Sequence, residues 1–312
     1  MKVAGLPLLA TTAWLLAGAA HAETPKVVVS IKPIHSLVAA IMKGVGEPGL
    51  IVEGANSPHT FNMKPSSAKK LQDAALVFWV GHGLEAFLEK PLEALGNKAT
   101  VVELDDAPGL TKLKFREGGA FEPHDDGDAD EAAEGHHHDE GEFDMHLWLD
   151  PANAKAMAAE IEKTLVKADP HNAQTYAANA KALDEKLDAL DKELTASVAP
   201  IKDKRFIVFH DAYQYFENRY HIRVAGSITV SPETLPGADR ISQIHKKVTE
   251  LGATCVFSEP QFEPKLINVV LEGTPAKSGT LDPEAATLTE GPNLYFDLMR
   301  GIATSLTDCL KG

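Results

Sequence analysis

Short apolar runs alternate with amphipathic stretches along most of the chain, and this alternation predicts its architecture. VVVSI (27–31), LIVEG (50–54), ALVFWVG (75–81) and TVVEL (100–104) have the length and β-branched content of buried strands. Between them, HSLVAAIM (35–42), SSAKKLQDA (66–74) and LEAFLEKPLEAL (84–95) carry helical spacing, with Ser66 or Ser67 suited to cap the second. Strands separated by helices imply a parallel α/β sheet, because parallel strands need a crossover. This first unit runs to about Leu113.

Polarity then changes abruptly. Residues 117–144 hold twelve carboxylates and no Lys or Arg, and the pattern resumes at MHLWLDP. Asp150-Pro151 reads as an N-cap followed by proline at the first helical position, opening ANAKAMAAEIEKTLVKA. Asp169-Pro170 repeats the signal before a helix of about 28 residues, roughly 42 Å long. On that helix Tyr176, Ala180, Leu183, Leu187, Leu190 and Leu194 are spaced 4, 3, 4, 3, 4, a narrow apolar seam. The seam fits either a coiled-coil dimer or, as we expect, lengthwise packing on the protein's own body. Beyond Pro200 the alternation returns. RFIVFH, IRVAGSIT, TCVF and SGT read as strands, and QYFENRY, ADRISQIHKKVTELG, EPKLINVVLEG and NLYFDLMRGIATSLTDCL as helices, the second ending at Gly252. The expected architecture is two parallel-sheet α/β lobes joined by a single long helix. The first lobe is 23–168, including an acidic His-rich loop at 117–144, the connector is 169–199, and the second lobe is 200–312. No internal repeat is legible at the residue level.

Composition narrows the function. The chain has 312 residues, a formal net charge of −15 and 24% charged residues. That balance argues against nucleic acid, since phosphate needs Lys and Arg to neutralise it. Met1-Lys2, an uncharged apolar stretch to Ala20, and Ala20-His21-Ala22 read as a signal peptide over residues 1–22, with cleavage after Ala22 and an uncleaved membrane anchor as the alternative. The mature protein is expected outside the cytoplasm, as a monomer. In that compartment two cysteines, Cys255 and Cys309, fit one disulfide, with two buried thiols as the alternative.

The acidic run is the first place to look for metal, because it mixes carboxylates with His124, His136, His137 and His138. Imidazole without competing cations suits divalent transition ions. Open α/β sheets, however, bind ligands beyond the carboxyl ends of their strands. Four metal-capable residues fall at such positions: His59 in GANSPHTFNMKPSS, His146 in MHLWLDP, His210 at the end of RFIVFH, and Asp282 in GTLDP. Three imidazoles and one carboxylate make a complete tetrahedral zinc set. Each also has a plainer reading: a loop residue held by Pro58, a half-buried strand histidine, a satisfied core histidine, and an N-cap before Pro283. His35, at the start of the first helix, is a further approach to the cleft. His82 reads as a turn residue, and His171, His221 and His245 as solvent-facing.

SPHTFNMKPSS, MHLWLDP, FHDAYQYFE and GTLDP, in this order, resemble the metal-receptor family of solute-binding proteins that serve ABC importers. The similarity is to its periplasmic high-affinity zinc-binding (ZnuA-like) branch, from about Lys26 to the C-terminus and interrupted only by the acidic run. The resemblance implies a binding protein and not an enzyme, with metal in the interlobe cleft and an ABC permease as the membrane partner. It carries ligand roles to His59, His146 and His210, and less firmly to Asp282, where water or another carboxylate is the alternative. The His-rich insertion and the Cys255–Cys309 pair also resemble the zinc branch. Manganese-type relatives are similar but place a carboxylate where His210 stands, so Zn²⁺ is the ligand expected, with a receptor for manganese or another divalent metal as the alternative; ligand type does not separate zinc from copper or nickel. Two other classes stay open. An exported zinc hydrolase would need three histidines and an open fourth position, but no HExxH-type base is present. An adhesin could share the fold, although no anchoring signal supports it.

Overall fold

The computed structural model describes residues 24–95, 98–116, 121, 143–229, 232, 236–252, 254–263 and 265–311. The expected signal peptide (1–22) and His124, His136, His137 and His138 lie outside them. Among the described residues no helix is long and apolar enough to cross a membrane.

In chain order the first half comprises β1 (Val27–Val29), α1 (Lys32–Ile41), β2 (Gly49–Leu50), α2 (Pro65–Gln72), β3 (Leu76–Trp79), α3 (Glu89–Leu95) and β4 (Thr100–Glu103). Next come α4 (Pro151–Ala168) and the long α5 (Ala173–Val198). The second half comprises β5 (Arg205–His210), α6 (Gln214–Tyr220), β6 (Arg223–Thr229), α7 (Ala238–Leu251), β7 (Cys255–Ser258), α8 (Lys265–Leu271), β8 (Lys277–Thr280) and α9 (Leu294–Lys311). Each half contains a four-stranded parallel sheet, ordered β2-β1-β3-β4 and β6-β5-β7-β8. The two orders are the same once the strands of each half are counted from its start. The halves therefore repeat in topology although their sequences do not.

Local chemistry explains most element ends. Every residue of β1 and β3 is buried, as expected for central strands of a sheet covered on both faces. Pro65 opens α2 at its first position, so Ser66 and Ser67 lie inside the helix instead of capping it. The stretch 84–95 does not form one helix. It begins as a 3-10 turn, Ala86–Leu88, and α3 starts only at Glu89, which leaves Pro91 in a first turn where no N–H partner is needed. Asp150 caps α4 by accepting from the Ala152 N–H at 2.8 Å. Asp169 does not cap in that way; its carboxylate holds Asn172 Nδ2 and the Tyr176 hydroxyl at 2.7 and 2.9 Å. Gly252 ends α7 at φ +57°, a left-handed position that glycine adopts without a Cβ clash.

The seam on α5 is buried within this one chain: Tyr176, Leu183, Leu187, Leu190 and Leu194 are at most 2% exposed. It packs against α4, α9 and α1. The expectation of a rod lying on its own protein holds, and no face of the seam remains for a coiled coil. Asn179 fixes the first half by donating to the carbonyls of Ile41 and Lys43 at 2.9 and 2.8 Å. Because α9 also packs on α1, the link between the halves is more than the connector alone. Cys255 in β7 and Cys309 in α9 form a disulfide that closes a separation of 54 residues.

Glu85 is a buried acid that, among the described residues, is held by backbone N–H groups and not by a cation. The Glu85 carboxylate accepts the N–H groups of Val80 and Gly81, the latter at 3.0 Å. Gly81 is at φ +151°, and a Cβ there would come within 2.8 Å of the Asp105 carboxylate. Burial pushes the Glu85 carboxyl up to about 7. Its folded pKa exceeds its unfolded one, so its stabilising contribution is full below about pH 4.5 and lost as pH rises to about 7. Glu85→Gln should therefore flatten the pH dependence of melting temperature across that window, as thermal unfolding at pH 5 and pH 8 would read.

Candidate metal centre

Three loops at the carboxyl ends of strands bring three imidazoles together. His59 follows β2 on a 3-10 turn, Pro58–Thr60, whose entry is held by Ser57 Oγ accepting the His59 N–H at 3.3 Å. His146 precedes the 3-10 turn Leu147–Leu149. The chain reaches it through an antiparallel bridge between Lys114 and Phe143. His210 is the last residue of β5. Two of the three thus come from the first half and one from the second.

Two carboxylates set the rings. Asp144 Oδ1 accepts from both the backbone N–H and Nδ1 of His146, at 3.0 and 2.7 Å. The Glu259 carboxylate holds His210 Nδ1 at 2.7 and 2.8 Å. An imidazole whose Nδ1–H is donated outward keeps its Nε2 lone pair for the opposite side. The Nε2 atom of His146 lies 3.3 Å from that of His59 and 3.2 Å from that of His210. An ion bound tetrahedrally at 2.0–2.1 Å to nitrogen separates its donors by roughly 3.3–3.4 Å. The two pairs that meet on His146 are close to that spacing, and all three donors lie within 4.8 Å, which suits one ion with zinc-like geometry. His146 and His210 are 5% and 3% exposed, while His59 is half-buried.

Charge around the cluster is layered. Burial disfavours the charged form of His210, but Glu259 outweighs it and holds the pKa above the ordinary histidine value. Burial pushes the Asp144 carboxyl up to about 7, opposed by the His146 N–H and by the Arg116 charge. Arg116 lies between two further buried acids, with Nε on Asp211 at 3.0 Å and Nη1 and Nη2 on Glu217 at 2.9 Å. Burial raises both carboxyls and Arg116 pulls them back. This guanidinium ties the last residues before the acidic run to the second half, one residue beyond His210.

The structure thus brings together His59, His146 and His210, whose donor atoms lie within 4.8 Å of one another. It does not bring in Asp282, whose carboxylate accepts from Gln261 Nε2 at 3.0 Å and from the Thr287 N–H at 3.4 Å. The loop carrying Asp282 is pinned to the first half: Lys32 Nζ donates to the carbonyls of Ala285, Ala286 and Leu288 at 3.0–3.1 Å. Trp148 Nε1 donates to the Pro283 carbonyl at 2.9 Å. His35 lies elsewhere, buried with Nε2 against the Pro48 carbonyl at 3.0 Å. His82 packs on Trp79 between Glu89 and Glu103, at 3.3 and 3.5 Å. His171 and His221 are exposed, as expected, whereas His245 is half-buried with Nε2 on the Glu272 carbonyl at 2.7 Å. Asp144 and Glu259 were not foreseen. The Asp-x-His spacing could have flagged Asp144. Glu259 lies one residue beyond β7, beside His210 only because β5 and β7 are neighbours.

Residues 27–309 match the family described as zinc-uptake complex component A, periplasmic. The chain belongs to the ZnuA family. A high-affinity zinc uptake system protein ZnuA from Brucella suis is 57% identical over 93% of this chain and 92% of its own length. The ZnuA of Yersinia pestis is 36% identical over 96% of each chain. A ZnuA crystal structure superposes with a TM-score of 0.73 at 27% identity, covering 91% of this chain and 99% of that one. The periplasmic zinc-binding protein TroA of Treponema pallidum, at 20% identity and TM-score 0.78 over 92% of this chain and 99% of that one, shares the fold.

Proposed function

We propose that this chain is a zinc receptor of the periplasm that captures Zn²⁺ on Nε2 of His59, His146 and His210 and delivers it to an ABC permease. It works as a monomer after losing residues 1–22. The observation that carries the reading is the convergence of three imidazole nitrogens, with Nε2 of His146 3.2–3.3 Å from the other two and all three within 4.8 Å, and with two of the rings fixed by carboxylates. A permanent ligand set of neutral nitrogen donors favours zinc over manganese, which prefers oxygen. The metal here is cargo, and no reaction follows its binding. Water completes the shell while Asp282 remains on Gln261 and Thr287, and Asp282 is the alternative fourth donor only if those bonds are given up. The lobes correspond to 23–168 and 200–312 with 169–199 between them, and the histidines of 117–144 act as a weaker collector.

Calorimetric titration of the mature protein with Zn²⁺ and Mn²⁺ tests the proposal. One tight zinc ion with much weaker manganese binding supports it; equal affinities would sink it. Protons compete for the same nitrogens, so zinc affinity should fall as pH is lowered through the histidine range. Because His210 titrates above the ordinary value, the loss should already begin above pH 6.5. Asp144→Asn and Glu259→Gln remove the groups that orient the rings, and each should weaken zinc about 10- to 100-fold without removing a ligand. Competition against a chromophoric chelator would measure both.

A further inference from the structure

The concave surface at the outer side of the second sheet has a charge opposite to that of the chain. A cavity of about 1020 Å³ lies beside the edge strand β6, with Val224 and Ala225 in its lining. Its rim carries Lys202, Lys204, Arg205, Arg223 and Lys247. None of these five makes an ion pair among the described residues. Of the acids in the lining, Glu217 is engaged by Arg116, and only Asp203 is left to balance the rim. Five cations against one acid on the rim of a chain of net charge −15 form a local positive field that favours an extended polyanion. The metal centre does not use this surface. Arg205 and Arg223 begin their strands, whereas His210 ends one.

The chain supplies a matching segment at the right place. Arg116 lines the cavity, and the Phe121 ring lies 4.1 Å from its guanidinium carbon. Residues 122–142 follow, with ten carboxylates and no Lys or Arg. They return at Phe143, which pairs with Lys114 in an antiparallel bridge. The segment thus leaves and re-enters beside the same rim. Some ten residues out and ten back reach roughly 33–36 Å when extended, enough to lie along the cavity. A tether this short gives a local concentration in the mM range, which a separate acidic partner would have to exceed.

We infer that residues 122–142 dock in cis on the basic groove lined by Lys202, Lys204, Arg205, Arg223 and Lys247. The attraction is between solvent-exposed charges, so it weakens once the Debye length falls to about 3 Å near 1 M salt. The inference is independent of zinc occupancy at the three histidines.

Zero-length carbodiimide coupling of the full mature chain, followed by peptide mass spectrometry, tests it. At low salt, amide links are expected between carboxylates of 122–142 and the ammoniums of Lys202, Lys204 or Lys247 within one molecule. The double variant Arg205→Glu/Arg223→Glu keeps those lysines and changes only exposed side chains. It should reduce the links about tenfold or more, as should 1 M NaCl. Links to lysines outside the groove, or yields unchanged in the variant, would overturn the inference. Links formed chiefly between differently isotope-labelled copies would assign the groove to a second molecule and overturn it as well. So would sedimentation of the full chain with anionic vesicles that depends on Arg205 and Arg223, in the absence of intramolecular links.

Discussion

Replacing His146 with alanine is expected to lower zinc affinity on the order of 10²- to 10³-fold while leaving the fold intact. Structural zinc sites bind with apparent energies of ~10–16 kcal/mol, which over three or four donors is about 3–4 kcal/mol each. His146 is the most informative of the three because both short nitrogen contacts meet on it. Its removal also leaves Asp144 buried beside a vacated ring position, with only the backbone N–H of residue 146 still held. Competition titration against a chelator of known affinity would measure the loss, and far-UV circular dichroism would separate it from unfolding. His59→Ala and His210→Ala should fall in the same range. If tight binding of one zinc ion survives all three single substitutions, the three-histidine assignment is wrong.

Removing the disulfide should produce the largest change in stability. Cys255→Ser with Cys309→Ser releases a loop of 54 residues, for which chain entropy gives about 4 kcal/mol. The bond joins the central strand β7 to the closing helix α9, and α9 also packs on α1 and α5. Its loss is therefore expected to lower the unfolding midpoint of the apo protein in denaturant. Zinc affinity should change far less, because Cys255 lies at the opposite end of its strand from Glu259. Urea titrations with and without reductant, in parallel with zinc competition, read the two quantities separately. A zinc affinity that fell in step with stability would show that the second half does not hold His210 as independently as its packing implies.

Much of the fold was legible because its physics is local. Parallel strands buried on both faces announce themselves as apolar runs, and the 4-3-4-3-4 spacing of Tyr176 to Leu194 identified a helix with one covered face. Boundaries failed where a proline changed the reading, as with Pro65 at the head of α2 and Pro91 at that of α3. The second strand is shorter than the run LIVEG suggested, since only Gly49–Leu50 is assigned as strand. In the site, each histidine was visible as a residue at a strand end. What stayed hidden was everything set by neighbours distant in sequence. Glu259 orients His210 across 49 residues because of sheet order, and Asp282 is engaged by Gln261, a contact no strand-end rule contains. The long acidic run drew attention by composition, yet the three histidines that converge lie outside it, and of its residues only Asp144, the last, reaches the site.

The half-buried position of His59 has a kinetic meaning. In the proposed site two donors are anchored by carboxylates in the interior, and the third stands half-buried on a three-residue turn. Exchange of the ion should then be ordered. With these ligands the bond to His59 would break first, leaving the ion on His146, His210 and the fourth donor, and the same turn would be the last to engage during loading. Residence time would accordingly be set by how tightly Ser57 and Pro58 hold one small turn, and a receiving protein could shorten it by pressing on that turn alone.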